Sequence, residues 1–315
     1  MSEQVVYAAP PVPPPVYVSP WTGIRHEWIG WDGSRWDLTD WRAGVFLTKE
    51  GVEGLGMPGE TEWISPQSPV VHGQTYMGGV TNPRTIFWPV HLYSDESSEA
   101  WRNLDVAFWR TLQPGRYGIW RVTTSGGTRE IRCRAADNSG ISYEQDPHLA
   151  GWASYGIALV ADDPFWYTPD PITRIWEQAD GEQFYGGGPV TNPAPKAAPF
   201  SISKGSTLAN AVLENPGDID AWPVWKVTGP ASAITLGVGG RNVTYAAALG
   251  AGETLVIDTD PMDQQAYRGT INVTSQLGEY NFARIPSGSG ESLSLSITGT
   301  GTVQATIRPR FYKAW

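Results

Sequence analysis

Asn215-Pro216-Gly217-Asp218 is a turn specified at every position, and the segment after it has to be a strand. Proline presets φ, glycine supplies positive φ, and the Asn and Asp side chains bond their own backbone. Beyond the turn, Trp222, Val224 and Lys226 alternate with Trp225 and Val227 up to Thr228 and Gly229. The pattern suits a strand carrying apolar groups on both faces, and Pro223 places it near an edge or a strand start. Gly250-Ala251-Gly252 repeats the grammar, with a β-branched run from Glu253 to Thr259 that closes on Asp258. Two such units imply a β-sandwich with turns at short intervals.

The same grammar runs through the whole chain. Thirty-six glycines and 26 prolines punctuate 315 residues, and Val, Ile, Thr, Tyr and Trp fill the runs between them. This composition predicts a mainly β protein with little helix, long enough for two domains that each bury a core. After a proline-rich arm at Ala8 to Pro15, a hairpin is expected over Glu27 to Leu38 around Asp32-Gly33-Ser34. That arm reads either as a free tail or as a segment laid over a neighbouring subunit. Further strands are expected at Gly44 to Thr48, Val70 to Gly79, Arg84 to Tyr93, Gly118 to Thr123, Arg129 to Ala135 and Trp152 to Ala161.

One helix interrupts them. Trp101, Leu104, Phe108 and Leu112 recur at helical spacing between Asp95, read as its cap, and the stop at Pro114-Gly115. The helix then packs across a sheet. Asp162 to Pro171, with three prolines among acids and aromatics, marks a domain boundary. Short strands beyond it, at Ile172 to Trp176, Ala198 to Ser203, Ala221 to Thr228, Ile234 to Val238, Val243 to Ala246, Thr254 to Asp258, Ser292 to Ile297 and Thr302 to Pro309, suit a jelly-roll-like sandwich. The organisation is therefore an arm over 1–20, a β-sandwich with one packed α-helix over 21–168, and a jelly-roll over 169–315.

Charge and cysteine usage exclude several classes. A net charge of −10 argues against general nucleic-acid binding, because nothing replaces the counterions on phosphate. Cys133 is the only cysteine, which rules out an intrachain disulfide and a multi-thiolate metal site, and it reads as a small buried hydrophobe. No leader-like segment and no long apolar run is present, so synthesis in the cytoplasm without membrane insertion is expected. Gly54 to Gly59 matches GxGxxG, but Pro66 comes too soon after it for the helix that a dinucleotide site needs, and the stretch reads as a loop. His26, His72, His91 and His148 are scattered, without carboxylates at metal-ligand spacing. Asp258, Asp260 and Asp263 form an acidic turn lacking the EF-hand glycine and glutamate. Neither GxSxG nor GxxxxGK occurs, so the chain is not expected to be an enzyme, and no catalytic, cofactor or metal residues are assigned.

The sixteen tryptophans are the remaining anomaly, since indole is large and enriched where surfaces meet. Trp28, Trp31, Trp36 and Trp41 fall too densely for all of them to be interior, which places some in subunit interfaces. Trp222 and Trp225 read as core or interface anchors.

The layout of a helix-bearing β-sandwich, the Asp163-Pro164-Phe165-Trp166-Tyr167 junction and then Trp222 to Gly229 and Gly252 to Thr259 resembles the distal tail proteins of long, non-contractile-tailed bacteriophages. The resemblance is to the minor tail proteins of actinobacteriophages in particular, and it runs from about Trp21 to the C-terminus. It implies a structural virion protein at the tail tip: a homo-oligomeric, usually hexameric ring joining the tail tube protein to baseplate hub and tail-tip proteins. N-terminal domains would pack side by side while galectin-like C-terminal domains project outward. The acidic balance would suit a channel through which DNA passes without sticking. A carbohydrate-binding or host-receptor-binding tail module is the alternative, with exposed rings on one concave face.

Overall fold

A computed structural model describes residues 22–48, 51–59, 61–64, 72–73, 77–136, 145–177, 181–183, 201–203 and 207–315. The arm at 8–15 lies outside these residues, as does most of the strand expected over Val70 to Gly79, of which Gly78–Thr81 pairs with Thr61–Ile64. The fold is mainly β, with two separate cores.

Around the first core, seven strands form an antiparallel sheet in the order Arg35–Asp37, Arg25–Ile29, Gly118–Thr124, Gly127–Ala135, Trp152–Ala161, Arg84–Tyr93, Val45–Leu47. The sheet curls until its ends nearly meet. Leu38 donates its N–H to the His26 carbonyl at 2.9 Å and receives the Leu47 N–H at 2.8 Å. The expected hairpin forms, pairing Trp28 with Trp36 across a turn in which Gly33 takes φ 82°. Alternation turns Trp28, Trp88 and Trp120 inward, where they meet Trp166 in a chain of indoles. Ring centroids are 5.3, 5.2 and 5.1 Å apart, in edge-on or tilted contacts each worth roughly 0.5–1.5 kcal/mol beyond area burial.

The helix Ser98–Arg110 closes this core with Trp101 and Phe108 buried and Leu104 partly buried. Its cap is Ser97 rather than Asp95. Ser97 is extended, and its hydroxyl accepts the Ala100 N–H at 3.1 Å, whereas Asp95 lies too far upstream of the first turn to do so. At the far end Thr111 caps the helix, accepts from the Trp28 indole at 2.8 Å and donates to the Phe108 carbonyl at 2.7 Å. A short helix at Pro147–Ala150, capped by Asp146, was not expected from the sequence.

The second core lies between two sheets. One orders Ile172–Glu177, Thr302–Ile307, Val224–Thr228, Thr254–Asp258, Gln265–Arg268 and Ile271–Asn272; the other orders Val212–Asn215, Ser289–Thr298, Ser232–Val238, Arg241–Tyr245 and Leu277–Tyr280. The strand after the Asn-Pro-Gly-Asp turn begins at Val224, and only Trp225 and Val227 enter the core. Lys226 is exposed and Val224 half-buried, so one face, not two, is apolar. Two flanking strands pair with it, so Pro223 marks a strand start and not an edge. The expected strand over Ala198 to Ser203 is described only at Ser201–Ser203, which pairs with Gly181–Gln183.

The end of the chain returns to the first core. Arg310–Phe311 pairs antiparallel with Trp166–Tyr167, and Phe311 and Ala314 join the first core cluster. The junction read as a breaker thus holds a short strand. Arg84 fastens this return: its buried guanidinium donates to the carbonyls of Pro164 (2.6 Å), Gly54 (2.9 Å), Gly56 (2.7 Å) and Tyr312 (2.7 Å). Burial lowers its pKa to about 10, and four carbonyls satisfy the charge at neutral pH. The glycines of the GxGxxG stretch serve here as acceptors. A side chain on Gly54, at φ 99°, would also meet Ile86 Cγ1 at 2.8 Å.

Candidate assembly interface

The outer face of the curled sheet has two chemically different halves. Over the hairpin and its neighbours it is ionic. Arg121 bridges Glu27 at 2.9 Å and Glu130 at 2.6 Å, and Arg25 pairs with Asp37 at 3.0 Å. A carboxylate on either side of the guanidinium raises the Arg121 pKa against the opposing effect of burial. Such a face is stable against water.

Over Val45–Leu47, Arg84–Tyr93 and the start of Trp152–Ala161 the outer face is aromatic. The strand Arg84–Tyr93 sends Arg84, Ile86, Trp88, Val90 and Leu92 inward and Thr85, Phe87, Pro89, His91 and Tyr93 outward, so beyond Thr85 its outer side carries rings and a proline where a solvated sheet face would carry mostly polar residues. The rings form a connected set. Trp41 stacks on Tyr93 at 6.3 Å, His91 on Trp152 at 5.4 Å, and Phe46 touches both His91 and Tyr93 at 5.3 and 6.3 Å. Arg42 lies 5.2 Å above the Trp41 ring. Burial depresses the His91 pKa, and its Nδ1 sits 2.9 Å from the Ser154 hydroxyl. Trp41 remains 56% exposed and Trp152 41%. Exposed indoles in a contiguous patch mark a surface made to be covered.

The six tryptophans singled out in the sequence divide by environment. Trp28 and Trp225 are each 1% exposed, one in each core. Trp36 packs edge-on against Phe108 at 5.3 Å, and Trp31 donates to the Arg110 carbonyl at 3.0 Å beneath the Arg116 guanidinium. Trp222, half-buried, lines a cleft of about 470 Å³ between the two cores, with Arg132, Asp163, Tyr167, Asp260 and Arg310. There burial raises the Asp163 pKa, partly offset by Arg310. Only Trp41 joins the aromatic patch. Its partners Phe46, His91, Tyr93 and Trp152 were missed, although the apolar residues at both parities of Arg84–Tyr93 were the available signal.

The remaining candidates are spent on structure. Asp258 accepts the Asp260 N–H at 2.9 Å and Asp260 the Met262 N–H at 3.0 Å, as turn-forming carboxylates do. His26 stacks on Trp120 at 5.7 Å inside the first core. Cys133 is fully buried, and burial pushes its thiol pKa up. Among the described residues no three His, Cys, Asp or Glu side chains are placed to hold a metal, and no helix is long and apolar enough to cross a membrane.

No protein-family model and no curated protein matches this sequence. Solved structures do match its fold. The SPP1 Dit protein, described as a paradigm of the hub adsorption apparatus in phages infecting Gram-positive bacteria, aligns with a TM-score of 0.60 at 13% identity, over 91% of this chain and 99% of its own. Chains of the phage p2 baseplate in its activated conformation, with calcium and with strontium, align at TM-scores of 0.51 and identities of 15% and 16%, over 90% of this chain and 98% of theirs.

Proposed function

We propose that this chain is a structural component of a phage tail tip, a distal tail protein forming a ring between the tail tube and the baseplate hub. The observation that carries the reading is likeness from end to end: both halves of the chain, in order, match nearly the whole length of the SPP1 Dit protein. A single shared sandwich would carry far less, because sandwiches host unrelated functions. The aromatic patch supports assembly, being a covered-surface chemistry on an otherwise ionic sheet.

In this reading the protein acts as a homo-oligomer, hexameric as in the resemblance to actinobacteriophage minor tail proteins. The first domain builds the ring while the second faces outward. It is made in the host cytoplasm and works in the virion, without cofactor or catalysis. The acidic balance keeps the lumen from binding DNA. The carbohydrate-binding alternative is less well supported, because Trp176 and Trp225 of the second core are buried, while the exposed indoles Trp41 and Trp152 lie on the sheet of the first domain. Light scattering on the size-separated protein tests the reading. A single species of about six chains supports it, and a monomer at micromolar concentration contradicts it.

A further inference from the structure

We infer that the cleft between the two cores is a docking slot for a peptide segment of a partner protein that carries one basic and one acidic side chain. The inference goes beyond the ring reading, since it names a separate site and a ligand chemistry, and it holds for a monomer as well as a ring.

The lining of the cleft comes from two sheets. On one side, Tyr167 pairs with both Glu130 and Arg310. Arg132 lies two residues beyond Glu130, so alternation puts it on the same outer face. Arg308 joins them, its guanidinium 5.0 Å from the centre of the Tyr167 ring. On the other side, Thr306, Val224 and Asp258 sit in one cross-strand row and share a face. Trp222, half-buried, and Asp260 lie just outside the ends of those strands and continue the same side. One side is cationic and the other acidic.

These charges do not cancel. Arg310 pairs with Asp163 at 3.8 Å, but among the described residues Arg132 and Arg308 form no ion pair. Each of the two guanidiniums lies over a ring, Arg132 at 4.0 Å from that of Tyr117, which occupies its face and leaves free the N–H donors in its plane. Opposite them, turn N–H groups take one oxygen of Asp258 and one of Asp260. Burial and the like charges of Asp260 and Asp263 raise the Asp258 pKa, and no cation offsets them.

The joint keeps the two sides apart. The Asp218 N–H donates to the Arg310 carbonyl at 2.8 Å, the Asp218 carboxylate accepts the Tyr312 N–H at 3.1 Å, and Arg310 donates to the Asp220 carbonyl at 3.2 Å. What remains is a preformed space of about 470 Å³, a volume usual for ligand sites, whose charges call for a ligand of the reverse polarity. A basic side chain answers Asp258 and Asp260, and an acidic one answers Arg132 and Arg308. A polypeptide supplies both on one chain with apolar atoms between them, and the cleft adds Pro171, Trp222 and Val224 as apolar lining.

The test uses the full chain labelled with 5-fluorotryptophan, in which Trp222→Phe assigns the Trp222 resonance. The probes are end-blocked, alanine-based heptapeptides carrying one Lys and one Glu at every separation, each beside counterparts with Gln in place of Lys or of Glu. The expected result is that at least one of them shifts the Trp222 signal and binds about tenfold more tightly than either counterpart. Asp258→Asn with Asp260→Asn, which keeps the turn acceptors, should remove the preference for Lys. Arg132→Gln with Arg308→Gln should remove the preference for Glu, and thermal melts confirm that both double variants keep the fold. No peptide preferred over its counterparts, or preferences that survive both double variants, would overturn the proposal. Free lysine binding as tightly as the peptides would assign the cleft to a small zwitterion and also overturn it.

Discussion

The carboxylate of Asp218 accepts the backbone N–H of Tyr312 at 3.1 Å, while the Asp218 N–H donates to the carbonyl of Arg310 at 2.8 Å. The turn that opens the strand into the second core is thus also the rail along which the end of the chain crosses to the first. Asn215 completes it from within, donating to the carbonyls of Ile219 and Ile285 and accepting the Gly217 N–H. The joint between the two cores is therefore built from backbone groups held at close quarters, and its rigidity depends on small residues and saturated acceptors.

Gly217 is the tightest point of that joint. A Cβ there would lie 2.7 Å from the Arg310 carbonyl oxygen and 2.8 Å from its nitrogen. Gly217→Ala should cost about 1–3 kcal/mol, the range for forcing atoms into a packed site. Equilibrium urea denaturation measures it, and an unchanged midpoint would show that the two segments separate freely.

Arg84 should be less replaceable still. Arg84→Met keeps volume but leaves four carbonyls without their donor, and a loss of about 3–5 kcal/mol is expected from breaking a buried charged hydrogen-bond set on one side. Arg84→Lys should recover part of it. Thermal unfolding of both variants checks the order; equal stability of Met and Lys would remove the guanidinium from the account.

The tryptophans should separate by position. Trp28→Ala and Trp225→Ala each empty a core site and should lose about 3–5 kcal/mol, whereas Trp41→Ala, on the surface, should stay within about 0.5 kcal/mol. Denaturation of the three variants decides this. A large loss at Trp41 would mean that its stack on Tyr93 holds the fold.

Acid should weaken the first domain through His26. Burial lowers its pKa to about 4, with Asp37 opposing, so the folded protein holds it neutral while the unfolded chain protonates near the ordinary value of 6.5. Its contribution is complete above pH 6.5 and is lost progressively as pH falls from 6.5 towards 4, by about 3 kcal/mol in total. His91, also lowered by burial, adds in the same direction. Stability measured between pH 7 and 4 should fall with that slope, and His26→Phe should flatten it.

How much of this was readable in advance depended on the range of the interactions. The hairpin, the helix and the strand 84–93 are local patterns of turn residues and periodicity, and they appear where the sequence places them. The Ser97 cap was missed because several residues before the helix carry suitable side chains and only backbone geometry chooses among them. The strands Val212–Asn215, Gln265–Arg268 and Leu277–Tyr280 were missed because they are short and polar on one side, so that pairing and not composition makes them strands. The return of Arg310–Phe311 and the four-carbonyl site of Arg84 join residues more than a hundred positions apart, which no local pattern encodes. The aromatic patch lay between these cases. Its residues were visible, but their convergence on one face needed the sheet order.

Negative-stain electron microscopy of the purified full-length protein tests the central claim most directly. A tail-tip ring component should give closed rings with a central hole, about six subunits around, with a second lobe on the outer rim of each. Uniform single particles of one chain, at concentrations where a virion component would assemble, would contradict it.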